Sequence, residues 1–247
     1  MMFSTNAQID RGRIELLAIV AHELRSPLAA IDLAVGLLGT QAADLGALTH
    51  SQTIIKRQLG RMRRLTDDLL DATRIATGRL TVRKELVELA SIIHLAVEGA
   101  RPAIDAGAHT LIVQLPCSDL HVEADPMRLA QAVINLLDNS AKYSQRYGRI
   151  MLCVQREANE AVIRVRDKGI GIPADALPHL FNLFVQSEHS MPRSRGGLGV
   201  GLNLVRHIVG LHGGTVEAHS DGPGAGSEFT VRVPVARPLP FSKGTTA

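Results

Sequence analysis

The chain has 247 residues, 45% hydrophobic and 21% charged, enough for one large domain or two small ones, each with a buried core. A dispersed net charge of +3, with two Tyr, five Phe and no Trp, argues against a nucleic-acid-binding surface. Cys117 and Cys153, the two cysteines, lack CxxC or His-rich ligand spacing, which points to a reducing compartment and no structural metal. No uncharged apolar run reaches the roughly eighteen residues of a membrane span, and the N-terminus has no signal-peptide pattern. A cytoplasmic chain without a membrane segment is expected.

Residues before about Ile9 are polar and expected to fray. From there to about Gly39, the residues Ile14, Leu17, Ala21, Leu24, Leu28, Ile31, Val35 and Leu38 alternate at three- and four-residue spacing, the heptad seam of one long helix. The seam leaves His22 and Ser26 on the outer face. Glu23 can accept a hydrogen bond from the imidazole Nδ1, which fixes the tautomer and leaves Nε2 as a nucleophile. A zinc-binding helix needs a second histidine four residues on, and Ser26 stands there. The run Ala21-His22-Glu23-Leu24-Arg25-Ser26-Pro27-Leu28 resembles the phospho-acceptor box of bacterial sensor histidine kinases. That resemblance implies a dimerisation and phosphotransfer hairpin, with His22 receiving phosphate from ATP and Glu23 acting as base.

A second helix is expected from about Asp44 to Ala76, with Leu48, Ile55, Leu59, Met62 and Leu69 on its seam and polar Gln52 and Thr66 among them. Two such helices form an antiparallel hairpin, and pairing two copies into a four-helix bundle buries both seams. Lys56, Arg57, Arg61, Arg63 and Arg64 avoid the seam and read as a solvated outer face. Around Gly78 the period changes, which places a domain boundary there.

Beyond it, a strand is expected at Leu80 to Lys84, a helix at Val87 to Ala106 and a strand at Thr110 to Leu115. Asp125-Pro126 is an N-cap followed by a first-turn proline, opening a helix to about Lys142. Strands at Arg149 to Arg156 and Ala161 to Asp167 flank a polar turn. A helix from Val200 to Leu211 and strands at Gly214 to Ser220 and Ser227 to Val233 complete an α+β sandwich, a mixed sheet with helices on one face. The expected organisation is a hairpin over 9–77, a nucleotide-binding domain over 78–235 and a disordered tail over 236–247.

Asn135, Asn139 and Lys142 share one face of the Asp125 helix, a set suited to a magnesium polyphosphate as well as to a plain polar surface. Asp167-Lys168-Gly169-Ile170-Gly171-Ile172-Pro173 follows an apolar strand. A carboxylate there can accept from an exocyclic amine while the glycines let backbone approach a flat ring. Pro173 and the antiparallel neighbours exclude a dinucleotide-binding βαβ unit. Gly196-Gly197-Leu198-Gly199-Val200-Gly201-Leu202 opens a helix, where backbone N–H groups and the helix dipole favour an anion, the alternative being a plain flexible hinge. No Walker motif is present.

These runs resemble the N box and the two glycine boxes of histidine-kinase ATPase domains, with Phe181 and Phe184 similar to the F box and Gly226-Ser227 to the last box. The resemblance, over about residues 10 to 235, implies Mg²⁺ at Asn139, phosphates near Asn135 and Lys142, and Tyr143 against the nucleotide. It further implies adenine read by Asp167 with Ser227 beside it, Gly169 and Gly171 lining the base, and Gly197, Gly199, Gly201 and Leu202 covering phosphates beneath a lid over Val185 to Arg195, from which Arg193 or Arg195 can reach phosphate. The expected activity is a homodimeric, ATP-dependent protein histidine kinase that passes phosphate to an aspartate of a response-regulator receiver domain. Ser26 stands where relatives usually have Thr or Asn, which leaves phosphatase activity toward the regulator open. The competing classes are a phosphatase acting mainly through the His22 to Ser26 face, and a nucleotide-switched dimeric interaction module.

Overall fold

The computed structural model describes residues 20–21, 23–38, 45–183 and 198–236. The chain divides into two compact units, Met1–Leu80 with Asn182–Gly201, and Thr81–Phe181 with Leu202–Ala247. His22, Phe184, Val185 to Arg195 and Gly197 lie outside the described residues, as do both ends of the first expected helix and the tail after Ala236.

In the first unit, α1 comprises helical residues 20–21 and 23–38, and α2 spans Leu45–Ala76. The second helix stops in a left-handed cap. Gly78 adopts φ +64 and its N–H donates to the Ile75 carbonyl, while the Arg79 N–H reaches back to Arg74, the 6→1 bond of a Schellman ending. The expected seam splits into two rows. Pro27 and Ala34 are buried and Leu24, Ile31 and Leu38 half-buried, whereas Ala21, Leu28 and Val35 are exposed. On α2, Ser51, Leu65 and Ala72 are buried, while Leu48, Gln52, Leu59 and Thr66 are exposed. A bundle helix has an apolar stripe wide enough for more than one neighbour, and a heptad count does not say which row meets the same chain. Leu198 and Val200 are buried in one cluster with Leu65 and Ala72, and Val20, Leu24, Leu69 and Leu183 pack against it.

The second unit runs β1 (Glu85–Glu88), α3 (Leu89–Ala106), β2 (Thr110–Gln114), β3 (His121–Ala124), α4 (Pro126–Tyr143), β4 (Arg149–Glu157) and β5 (Glu160–Asp167). After a short turn of 3-10 helix at Leu177–His179 come α5 (Gly201–Leu211), β6 (Thr215–His219) and β7 (Ser227–Pro234). A five-stranded sheet has the order β2-β4-β5-β7-β6, antiparallel except for the β2–β4 pair. The α+β expectation therefore holds, with two corrections before α4. The expected strand over Leu80 to Lys84 does not form, because the Arg83 N–H donates to the Asp125 carboxylate at 2.9 Å and not to a neighbouring strand. The strand begins at Glu85 and takes Val87 and Glu88 from the expected helix, pairing antiparallel with β3, a strand the local pattern did not signal.

Two-residue alternation gives the sheet one apolar row per strand. Ile150, Leu152 and Val154 on β4, Ala161, Ile163 and Val165 on β5, and Phe229, Val231 and Val233 on β7 are all buried. Leu129, Val133, Leu136 and Leu137 of α4 are fully buried with them. The N-terminus of α4 is fixed from three sides. The Asp125 carboxylate accepts from the Arg128 N–H at 3.1 Å and from the Arg83 N–H, while the Asp125 N–H donates to His212 Nε2 at 2.9 Å. His212 Nδ1 donates in turn to the Ile208 carbonyl at 2.7 Å. Burial works to raise the Asp125 pKa, but those backbone donors outweigh it and hold the carboxyl below its ordinary value.

Candidate functional site

The apolar row of β5 continues past Val165 to Asp167, so its last side chain points into the covered face as a carboxylate only 4% exposed. The register places Ile150 of β4 on one side of Asp167 and Ser227 of β7 on the other. A buried carboxylate needs donors, and three are in place. Ser227 Oγ donates to Oδ2 at 2.6 Å, Ser140 Oγ donates to the same oxygen at 3.4 Å, and the Gly169 N–H donates to Oδ1 at 2.8 Å. All three are neutral. The carboxylate is thus not taken up in an ion pair and can accept from a further neutral donor.

The loop after Asp167 is packed so closely that glycine is required at two points. A Cβ on Gly169 would stand 2.5 Å from the Tyr143 carbonyl oxygen, and one on Gly171, at φ +70, would stand 2.0 Å from that of Gly222. Backbone bonds close the arrangement, from the Ile170 N–H to the Tyr143 carbonyl and from the Gly224 N–H to the Ile170 carbonyl. Ser220 Oγ accepts from the Ile172 N–H at 2.9 Å and donates to the Gly226 carbonyl at 2.7 Å. The result is one wall that runs from the end of α4 through the glycine loop to the start of β7.

Asn135, Asn139, Lys142 and Tyr143 stand half-buried on α4, with Lys142 Nζ 4.8 Å from the Tyr143 ring centroid. The Asn139 side chain makes no hydrogen bond among the described residues. No group of three His, Cys, Asp or Glu among the described residues stands close enough to hold a metal ion. The donor set thus fits a hard cation that shares one carboxamide oxygen and takes its other ligands from a polyphosphate, and does not fit a resident all-protein metal site.

The remaining expected positions are elsewhere. Leu202 is half-buried at the start of α5, where neighbouring Asn203 donates to the Phe181 carbonyl at 2.8 Å. Gly199, at φ +69, and Gly201 belong to the first unit, with Leu198 and Val200 buried on either side of Gly199. Also in the first unit, Ser26 is exposed. The Glu23 carboxylate accepts from Arg61 Nη2 at 2.9 Å, with side chains 12% and 32% exposed. Sequence reasoning assigned no role to Ser140 or Ser220, and it read Arg61 as part of a solvated outer face, whereas Arg61 is only partly exposed and is paired with Glu23. Ser140 had a signal, a hydroxyl on the apolar stripe of an amphipathic helix.

Two family models match the chain. Residues 13–78 match the His Kinase A (phospho-acceptor) domain, and residues 124–237 match the histidine kinase-, DNA gyrase B- and HSP90-like ATPase. Over 227 residues the chain is 33% identical to the circadian input-output histidine kinase CikA of Synechococcus elongatus, covering 89% of this chain and 30% of that protein. It is 30% identical over 230 residues to the sensor protein kinase WalK of Staphylococcus saprophyticus, covering 92% and 37%. It therefore spans about a third of the length of these relatives. Among solved structures, histidine kinase ThkA in complex with the response regulator protein TrrA superposes with a TM-score of 0.66 at 22% identity, over 92% of this chain and 64% of that one.

Proposed function

The chain belongs to the sensor histidine kinases, carrying the phospho-acceptor and ATPase parts of their catalytic core in order, and on that premise we propose that it transfers the γ-phosphoryl group of ATP to His22. The observation that carries the ATP half is Asp167, a buried carboxylate held by neutral donors at the end of an apolar strand. It presents an acceptor to the exocyclic amine of adenine, beside glycines that admit a flat ring. Asn135 and Lys142 stand toward the phosphates. Asn139 would hold Mg²⁺ through its carboxamide oxygen, and the ion would supply charge neutralisation on the phosphates.

In the transfer, the neutral His22 attacks the γ-phosphorus through the Nε2 lone pair and the bond from phosphorus to the ADP oxygen breaks. Glu23 takes the Nδ1 proton, so phosphohistidine leaves the step neutral at the ring. In this reading residues 9–77 form the dimerisation and phosphotransfer hairpin and residues 78–235 the nucleotide-binding part. The uncovered row of Ala21, Leu28 and Val35, the last two 49% and 52% exposed, is covered by a second copy in a four-helix bundle. The phosphate passes next to an aspartate of a response-regulator receiver domain. The two free thiols Cys117 and Cys153 and the use of ATP agree with a cytoplasmic location, and no helix among the described residues is long and apolar enough to cross a membrane.

The test is incubation with Mg²⁺ and γ-labelled ATP beside the His22→Ala variant. The expected result is label that survives alkali, is lost in acid and is absent from the variant. A protein that binds ATP but takes up no label would overturn the kinase reading.

A further inference from the structure

Ser140 is out of place on its helix. It is 1% exposed and lies on the same stripe of α4 as Val133, Leu136 and Leu137, all fully buried. Alanine would suit the interior of that helix better, since serine has the lower helix propensity and brings a polar group that burial penalises. Serines within helices commonly bond the carbonyl four residues earlier. The partner here is instead Asp167 Oδ2 at 3.4 Å, across from α4 at the end of β5.

The distribution of donors on Asp167 gives this contact a consequence. Ser227 and Ser140 both address Oδ2, and the Gly169 N–H addresses Oδ1. A carboxylate has about four acceptor directions, so the protein takes both on Oδ2 and one on Oδ1. The hydroxyl pair thereby orients the carboxylate so that the remaining direction lies on Oδ1, beside the glycine loop. Ser140 is adjacent in the chain to Asn139, so the contact links the carboxamide-bearing helix to the end of the base-reading strand.

Resting on the reading of Asp167 as the adenine acceptor, we propose that Ser140 is a positioning residue that acts through Asp167 to make the site select a purine carrying an exocyclic 6-amino group. Ser140 does not bond the base itself. It holds Oδ2, and the selectivity is expressed at Oδ1.

The experiment measures binding of ATP and of purine riboside 5′-triphosphate, which lacks the 6-amino group, to the wild-type chain, Ser140→Ala and Ser140→Cys. The wild type is expected to prefer ATP. In Ser140→Ala the ATP affinity falls by roughly three- to tenfold, the worth of one hydrogen bond, while that of the analogue changes by less than about twofold, so the preference narrows. Ser140→Cys, of similar shape with a weaker donor, gives an intermediate ratio and reads the same effect if the alanine variant melts early. Equal losses for both nucleotides, or an unchanged ratio in both variants, would overturn the assignment and leave Ser140 a packing residue. A wild type that binds the two nucleotides equally would overturn it together with the adenine role of Asp167.

Discussion

Two carboxylates sit at the two ends of the proposed reaction, and their surroundings differ in kind. Asp167 is held inside one unit by three neutral donors from α4, the glycine loop and β7. Glu23 has a cationic partner, Arg61 on the neighbouring helix, and stands on a helix whose Leu28 and Val35 are half exposed. Neutral donors fix a carboxylate's direction while leaving its charge to act on a ligand, which suits recognition. A guanidinium fixes direction too, but it takes the carboxylate into an ion pair. The contacts that fix Asp167 all lie within a single fold unit, whereas the phospho-acceptor helix has an apolar row that the described residues leave exposed.

The contrast is broken most severely at Asp167. Asp167→Ala leaves two hydroxyls, of which that of Ser140 is buried, and the Gly169 N–H without their acceptor and removes the proposed base contact. ATP affinity is expected to fall by roughly 10- to 100-fold, with dimerisation, read by sedimentation, unchanged. If dimerisation falls with it, the two ends are not independent. Gly169→Ala attacks the same wall sterically. Its Cβ would meet backbone at the Tyr143 carbonyl, which cannot give way as a side chain can, so a loss of about 1–3 kcal/mol in stability should accompany weakened ATP binding. Unchanged melting and binding would show that the loop does not hold this approach in solution.

At the other end, Arg61→Ala should leave ATP affinity unaltered and change the labelling rate. The pair is partly exposed, so its direct contribution to stability is small, on the order of 1 kcal/mol or less. A base that loses its orientation is expected to cost severalfold in rate. Arg61→Lys should recover part of that loss, because charge is kept while the planar geometry of the guanidinium is lost. A labelling rate untouched by either substitution would mean that Arg61 does not set the position of Glu23.

The two regions also differed in how far the sequence disclosed them. Asp167, Gly169 and Gly171 follow from a carboxylate at the end of an apolar strand and from glycine placement, both local signals, Ser227 comes only from the family resemblance, and Asp125-Pro126 reads directly as a helix start. The β1–β3 pair was hidden because Glu85–Glu88 meets His121–Ala124 across more than thirty residues, and a four-residue strand has too little periodicity of its own to announce a distant partner. Ser140 stayed without a role because its meaning lies on another element. For the hairpin, the heptads fixed helix type but not which apolar row turns to which neighbour, so Leu48 and Leu59 were placed on the seam and are exposed.

The smallest expected effect concerns the support beneath the nucleotide site. Burial lowers the pKa of His212, with Lys84 pushing the same way and the bond to Ile208 and the charge of Asp125 opposing. Both ring nitrogens are in use, Nδ1 as donor to Ile208 and Nε2 as acceptor from the Asp125 N–H. A proton can therefore enter only by breaking the bond that anchors α4. The folded pKa lies below the ordinary histidine value of 6.5, so as pH falls below that value the unfolded chain binds a proton that the folded unit resists. The stability contributed by neutral His212 is complete above this value and is lost on acidification, with a slope of at most about 1.4 kcal/mol per pH unit. Melting temperature measured between pH 7.5 and 5.5 should decline, and the decline should be shallower in His212→Gln, whose amide does not titrate. Equal slopes would assign the acid sensitivity to other groups and leave His212 as packing alone.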